Sequence, residues 1–256
     1  MEIRVLGAHN CESKNTRLTS LLVDNKLALD ASSLTSSLSF KAQSKLKAIC
    51  ITHGHYDHIR DIPALAMNLF LQNKSINIYA HHSVFNILKN YLLNNILYPD
   101  FFERPEISPV LRFVEMKPYQ IEKIGKYQIM PVPVNHSIPS IGYQVSSDGG
   151  KTIFYTGDTG IGLSEAWKHV SPQLLIIELT APDGYEESVG RTKHLTPRLL
   201  RQELISFKNL KGYLPQVITV HMSPLLEKDI YGEASKIALE LGITIKLASE
   251  GMKLIL

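Results

Sequence analysis

The sequence predicts an α/β (α+β) fold in which two β-sheets pack face to face with helices outside them. Three observations lead there. Short β-like runs outnumber helical patterns, yet helical patterns recur in both halves of the chain. Each helical pattern carries a single apolar stripe, which the outer face of a sheet can cover, so a sheet-on-sheet core accommodates them all. Polar residues of metal-binding type repeatedly follow the apolar runs, which gathers them at one rim of a sheet.

The β-like runs are residues 2–6, 19–23, 26–29, 47–51 and 76–79, then 110–115, 127–134, 142–146, 151–155, 174–178, 216–220 and 244–248. Between them, residues 62–71, 84–94, 196–207 and 230–241 repeat apolar residues every three or four positions, the spacing of a half-buried helix. The first of these helices is expected to begin near Arg60. Residues 160–169 predict a shorter helix with Ser164 as its N-cap. Thr196-Pro197 makes a good helix start, a capping hydroxyl followed by a residue whose φ is already helical. Residues 100–109, with two prolines and mixed charges, predict an irregular loop. No linker or fixed-period repeat divides the chain, so residues 1–256 are read as one domain.

Hydrophobic residues make up 44% of the chain and charged residues 20%, ordinary proportions for a soluble enzyme. No apolar run approaches the roughly 18 residues that cross a bilayer. The start, Met1-Glu2-Ile3-Arg4-Val5-Leu6, reads as a strand and not as a signal peptide, so a cytoplasmic protein without membrane association is expected. Cys11 and Cys50 are too few for a disulfide framework and are read as free thiols. The net charge of +3 is spread along the sequence without a polybasic tract. That favours a small anionic substrate and gives no expectation of a nucleic-acid partner.

The run Thr52-His53-Gly54-His55-Tyr56-Asp57-His58 sets four metal-binding side chains directly behind the apolar segment Ala48-Ile49-Cys50-Ile51. In an extended segment residues two apart face the same side, so His53 and His55 point into one pocket. Asp57 and His58 follow where a helix begins. Imidazole and carboxylate suit borderline divalent metals such as zinc. Five more residues end apolar runs: Asp30, His136, Asp158, Glu178 and His221. Any one of them could simply close a turn; their recurrence, with the right ligand types, makes a shared site.

In this set the sequence resembles the metallo-β-lactamase superfamily, whose members carry a strand-end Asp, an H-x-H-x-D-H run, and then a His, an Asp and a final His. The resemblance covers essentially the whole chain. It implies an αββα sandwich of two mixed sheets flanked by helices, with two divalent ions per chain, zinc first and manganese or iron as alternatives. His53, His55 and His136 would hold one ion, Asp57, His58 and His221 the other, and Asp158 would bridge them. Asp30 would stand behind the ligands and orient the run. Asp30-Ala31-Ser32 departs from relatives that have glycine third, which bears on the local loop.

Two further stretches are similar to the class II cyclic-nucleotide phosphodiesterases. Asn94 to Phe101 matches an N-x-x-x-W-P-D-F segment with Tyr98 in place of Trp, and His194-Leu195-Thr196-Pro197 matches an H-L/M-T/S-P motif. The latter is also similar to a motif of the tRNA 3′-processing nucleases. The likeness implies hydrolysis of 3′,5′-cyclic AMP or GMP to the 5′-monophosphate by a hydroxide activated between two metals. Asp57 and Asp158 would act through the metals, and His194, kept cationic by Glu178, would protonate the leaving 3′-oxygen. The alternative for His194 is a solvated residue ahead of a helix cap. Tyr98, Asp100 and Phe101, with His194, are candidates for contacting the nucleotide; for the first three, loop packing or a dimer contact is the alternative. His9 could reach the site rim; His81 and His82 read as surface or capping residues, and Trp167 as core. Relatives commonly pair, so a homodimer is implied. The competing functions are tRNA 3′-end processing and a non-hydrolytic dimetal sensor. The first usually brings a long basic arm, and no such insertion is visible in the sequence.

Overall fold

The computed structural model describes all 256 residues, Met1–Leu256. Strands β1 (Glu2–Gly7), β2 (Ser20–Val23), β3 (Leu27–Leu29), β4 (Ala48–Ile51), β5 (Ile76–Ala80) and β6 (Leu111–Glu115) form the first sheet. The second holds β7 (Glu122–Ile124), β8 (Tyr127–Pro133), β9 (Ile141–Ser147), β10 (Thr152–Tyr155), β11 (Leu174–Glu178), β12 (Gln216–Val220) and β13 (Ile245–Leu247). The last strand, β14 (Lys253–Ile255), returns to the first sheet. The strand orders are β14-β1-β2-β3-β4-β5-β6 and β13-β12-β11-β10-β9-β8-β7. Both sheets are mixed: β1 to β3 pair antiparallel and β3 to β6 parallel, while β7 to β10 pair antiparallel and β10 to β13 parallel.

Alternation along the strands sorts the apolar residues into two layers. Leu21, Val23, Leu27, Leu29 and Cys50 share a core with Ile129, Val145 and Tyr155 of the second sheet. Leu22, Ala28, Ile49, Ile51 and Ile78 face the other way. They are covered by α1 (Leu34–Ser37), α2 (Phe40–Gln43), α3 (Tyr56–Ile59), α4 (Ile62–Phe70) and α5 (His82–Ile87). On the second sheet, α6 (Ser164–His169), α8 (Pro197–Lys211) and α9 (Glu227–Leu241) bury one stripe each, whereas α7 (Glu186–Arg191) buries none. No helix is long and apolar enough to cross a membrane.

The helix expected over residues 62–71 is present as α4, Ile62–Phe70; it starts after Asp61, which accepts from Thr35 N at 2.7 Å and Arg60 Nε at 3.0 Å, and the separate short α3 precedes it where Asp57 and His58 open a helix. Two helices differ from expectation. The helix over 84–94 is α-helical only to Ile87 and widens into a π turn over Leu88–Leu92. Ser164 does not cap α6: the cap is Leu163, and Glu203 of α8 accepts from the backbone N–H groups of Gly162 and Leu163. Residues 100–109 are turns without helix or strand, as expected.

Candidate metal centre

The parallel strands of both sheets end at one rim, and the polar residues behind them meet there. After β4 the chain stays extended through His55, which is the N-cap residue of α3 (φ −66°, ψ 147°). Thus His53 and His55 face one point while Asp57 and His58 ride on the first turn of the helix. Two donor sets result. His53, His55, His136 and Asp158 form one and Asp57, His58, Asp158 and His221 the other, each with its ligand atoms within 4.8 Å of one another. In the first, His55 Nδ1 lies 3.0 Å from His53 Nε2 and 3.2 Å from His136 Nε2. In the second, His221 Nε2 is 3.1 Å from Asp57 Oδ2, and His58 Nε2 is 3.2 Å from Asp158 Oδ1.

The opposite nitrogens are fixed by the surrounding chain, which decides which nitrogen faces the centre. His53 Nδ1 donates to Thr52 Oγ1 at 3.0 Å, and that hydroxyl donates to Asp30. His58 Nδ1 donates to Asp30 Oδ2 at 2.8 Å, where Tyr155 Oη also donates at 2.7 Å. His221 Nδ1 donates to Thr180 Oγ1 at 3.0 Å, whose own proton goes to Glu178 Oε2 at 2.7 Å. His136 Nδ1 donates to the carbonyl of Lys193 at 3.2 Å. Asp30 thus stands behind the run, and Ala31 in the following loop is fully buried, with its N–H bonded to His58 O at 2.8 Å. Gly157 also has a geometric reason: at φ +62° a Cβ would come within 2.7 Å of the Thr52 side chain.

Glu178 is buried and accepts from Thr159 N and Leu195 N as well as from Thr180. Its Oε1 also holds His194 Nδ1 at 2.7 Å. The His194 ring stacks on His221 at 5.2 Å and lines a cavity of about 710 Å³ with Asn135, Lys193 and Arg198. Burial opposes a charge on His194, but Glu178 beside it prevails and raises its pKa to about 9.

The donor set fits divalent metal. Burial holds His53 well below its usual pKa and lowers His55 and His136 too, keeping them in the neutral form that ligates. His58 Nε2 and Asp158 Oδ1 are buried with no hydrogen-bond partner, although only 3.2 Å apart. With Nδ1–H given to Asp30, His58 Nε2 presents a lone pair, so it and Asp158 Oδ1 are two buried acceptors side by side, an arrangement that a cation between them satisfies. Neighbouring ligand atoms lie 3.0–3.9 Å apart, close enough for each set to converge on one ion.

All seven expected ligands, together with Asp30, Glu178 and His194, come together. Three expected contacts do not. Phe101 is 2% exposed inside the core beneath the first sheet, and Asp100 is 3% exposed, accepting from Lys89 Nζ at 2.5 Å and from Phe102 N at 2.9 Å. Tyr98 leans on Phe101 with ring centroids 6.2 Å apart. This segment packs its loop and leaves Asp100 and Phe101 no face for a nucleobase. His9 is buried against Glu250 and Glu227, outside both donor sets. His81 caps α5 by accepting from Ser83 N, and Trp167 is core, donating to Glu203. The sequence reading missed Thr52, Tyr155, Thr180 and the Lys193 carbonyl, which have no ligand chemistry of their own and matter only through tertiary contact.

Comparison with known proteins gives a consistent picture. Residues 22–242 match the model of the beta-lactamase superfamily domain. A Ribonuclease Z of Borrelia duttonii is 26% identical, over 98% of this chain and 96% of its own length. The Ribonuclease Z of Thermococcus onnurineus is 33% identical over 39% of this chain, and only 30% of that protein is spanned. Among solved structures, unliganded yeast PDE1 superposes with a TM-score of 0.84 at 18% identity, covering 100% of this chain and 99% of that one. The short form of human tRNase Z superposes at 0.71 with 20% identity, over 100% and 99%. At such identities the superpositions establish the fold: two mixed sheets flanked by helices.

Proposed function

The chain belongs to the beta-lactamase superfamily and has its metallo-hydrolase fold, and from that premise we propose that it is a phosphodiesterase opening 3′,5′-cyclic AMP or GMP to the 5′-monophosphate. Residues 1–256 act as one catalytic domain in this reading. The observation that carries it is the Glu178–His194 pair, 2.7 Å apart beside the shared ligand Asp158.

Divalent ions held by the two donor sets, zinc by preference, would polarise phosphoryl oxygens and lower the pKa of water there. The chain's own residues do the rest. An expelled 3′-alkoxide is a poor leaving group until it is protonated. His194, charged with a pKa of about 9 and open to the cavity, supplies that proton, and Glu178 holds the ring in register. The cavity of about 710 Å³ is of the size that takes a small ligand. Asp30 and the threonine relays keep the imidazoles in the tautomer that ligates.

One observation favours a second reading, 3′-end processing of tRNA: the relative matched along 98% of the chain is named Ribonuclease Z. It weighs against the expectation that nucleic acid is no partner. Cyclic AMP, cyclic GMP, bis(p-nitrophenyl) phosphate and a precursor tRNA, assayed side by side, separate the two. Cyclic-nucleotide turnover is expected to vanish on chelation. It should fall about 10²- to 10⁴-fold in His194→Ala at unchanged metal content. Bis(p-nitrophenyl) phosphate should suffer far less, because nitrophenolate leaves without a proton. Cleavage of the tRNA alone would overturn the cyclic-nucleotide reading. A within-fewfold effect of His194→Ala would remove its role as the acid.

A further inference from the structure

The C-terminal ends of β3, β4 and β5 lead to the metal centre; their N-terminal ends open on a second cavity, about 570 Å³, at the opposite edge of the sandwich. Lys26 stands just before β3 and Lys47 just before β4, with Lys47 N bonded to Lys26 O at 2.8 Å. Strand β7 and the turn after it bring Lys123 and Lys126 from the second sheet. Three segments far apart in sequence thus bring four lysines to one cavity, although the sequence reads as having no basic cluster.

These charges are not balanced locally. Only Lys126 meets a carboxylate, Asp24 at 2.8 Å, and Asp24 also accepts from Tyr127 Oη and Glu2 N. Lys26, Lys47 and Lys123 form no ion pair. Four lysines against one aspartate carry an excess equal to the whole chain's +3, so the rest of the molecule is neutral in sum. A concave surface of one sign concentrates counter-charge from solution. Lysine meets phosphate as a mobile point charge, which suits a ligand with several anionic oxygens. Leu27 and Tyr79 add an apolar wall to the same cavity, and its volume lies within the range of small-ligand sites.

We propose that this cavity binds an oligophosphate group, free or carried by a nucleoside, at a site separate from the metal centre. The inference stands on the lysines alone and survives if the cyclic-nucleotide reading fails. Calorimetric titration of the metal-loaded protein with inorganic triphosphate and with ATP tests it, using wild type, a Lys47→Glu/Lys123→Glu variant and His136→Ala. The last reports phosphate binding at the metal centre. Saturable binding is expected in wild type and in His136→Ala. In the double lysine variant it should weaken at least tenfold, while hydrolysis of bis(p-nitrophenyl) phosphate stays within twofold. Tighter binding of ATP than of triphosphate would assign the apolar wall to a nucleoside; equal affinity would assign the free oligophosphate. The proposal is overturned if neither probe binds wild type, or if binding survives the lysine substitutions. It is overturned equally if a single-stranded oligonucleotide binds through these lysines where triphosphate and ATP do not.

Discussion

Asp30 at the end of β3 and Glu178 at the end of β11 are the same device in opposite sheets. Each is buried, and each accepts a threonine hydroxyl that in turn accepts the Nδ1–H of a ligand-set histidine: His53 through Thr52, His221 through Thr180. They differ in the partners left over. Asp30 gives its remaining capacity to His58 and Tyr155, both buried, so all its donors belong to the scaffold. Glu178 gives part of its own to His194, whose side chain is 15% exposed and lines the cavity. The lesson is that one carboxylate-threonine relay can serve two ends. Where every donor is buried it builds the centre, and where one donor reaches the cleft it can set a proton in position.

The largest effect should come from breaking the relays at their carboxylates. Asp30→Asn turns an amide toward donors that need an acceptor. We expect metal affinity to fall 10- to 100-fold and stability by about 3 kcal/mol, the scale for disrupting a buried ionic contact. Glu178→Gln should weaken metal binding no more than the roughly tenfold expected at Thr180, and at saturating metal it should lose about 10²-fold in kcat on the cyclic nucleotide, the contribution of a positioned general acid. Metal analysis, chemical denaturation and turnover measured on both variants decide the matter. Equal loss of metal in the two would erase the distinction between them.

Smaller effects are expected one link further out. Thr52→Val and Thr180→Val leave the Nδ1–H of His53 or His221 without its acceptor at nearly constant shape, at a cost of about 1–3 kcal/mol each. Both should bind metal about tenfold more weakly. Only Thr180→Val should also lower kcat at saturating metal, because Glu178 loses a donor on the oxygen next to the one holding His194. A kcat loss of the same size in Thr52→Val would argue that the relays are equivalent.

Much of this is legible in the sequence, and what is not has physical reasons. The central strands declare themselves because they are apolar on both faces, as in Leu174-Leu175-Ile176-Ile177. Strands β7 and β14 escape because they are three-residue edge pieces with two exposed residues each, paired by their neighbours more than by their own hydrophobicity. Helix α7 escapes because it buries nothing. At the centre, residue types and their strand-end positions announce the ligands, but that His55 turns Nδ1 inward while His53 and His136 turn Nε2 is set by backbone angles and partners. Asp100 and Phe101 mislead because a motif records which residues stand together and not which way they face. The lysine-lined cavity is invisible for the converse reason, since its charges lie up to a hundred positions apart.

Asp24 supplies the control for burial. It too is a carboxylate on the first sheet that accepts a tyrosine hydroxyl from the second, Tyr127 at 2.6 Å, and it too sits at positive φ, 45° against 58° for Asp30. It lies at the opposite edge, however, partly open to solvent and beside Lys126. Its slight burial works against ionisation, but the bonds from Lys126 and Tyr127 prevail and lower its pKa from 3.8 to about 2. A carboxylate that is more acidic in the folded than in the unfolded chain stabilises the fold above its unfolded pKa, and the gain disappears as pH falls through the folded value. Asp24→Asn, which tolerates the same backbone angles, should therefore cost about 1 kcal/mol at pH 6 once solvent screening is allowed for. In urea titrations the gap from wild type should narrow between pH 4 and pH 2 and shrink with added salt. A penalty as large as that of Asp30→Asn, or one independent of pH, would mean that the donors rather than their burial set the strength of these contacts.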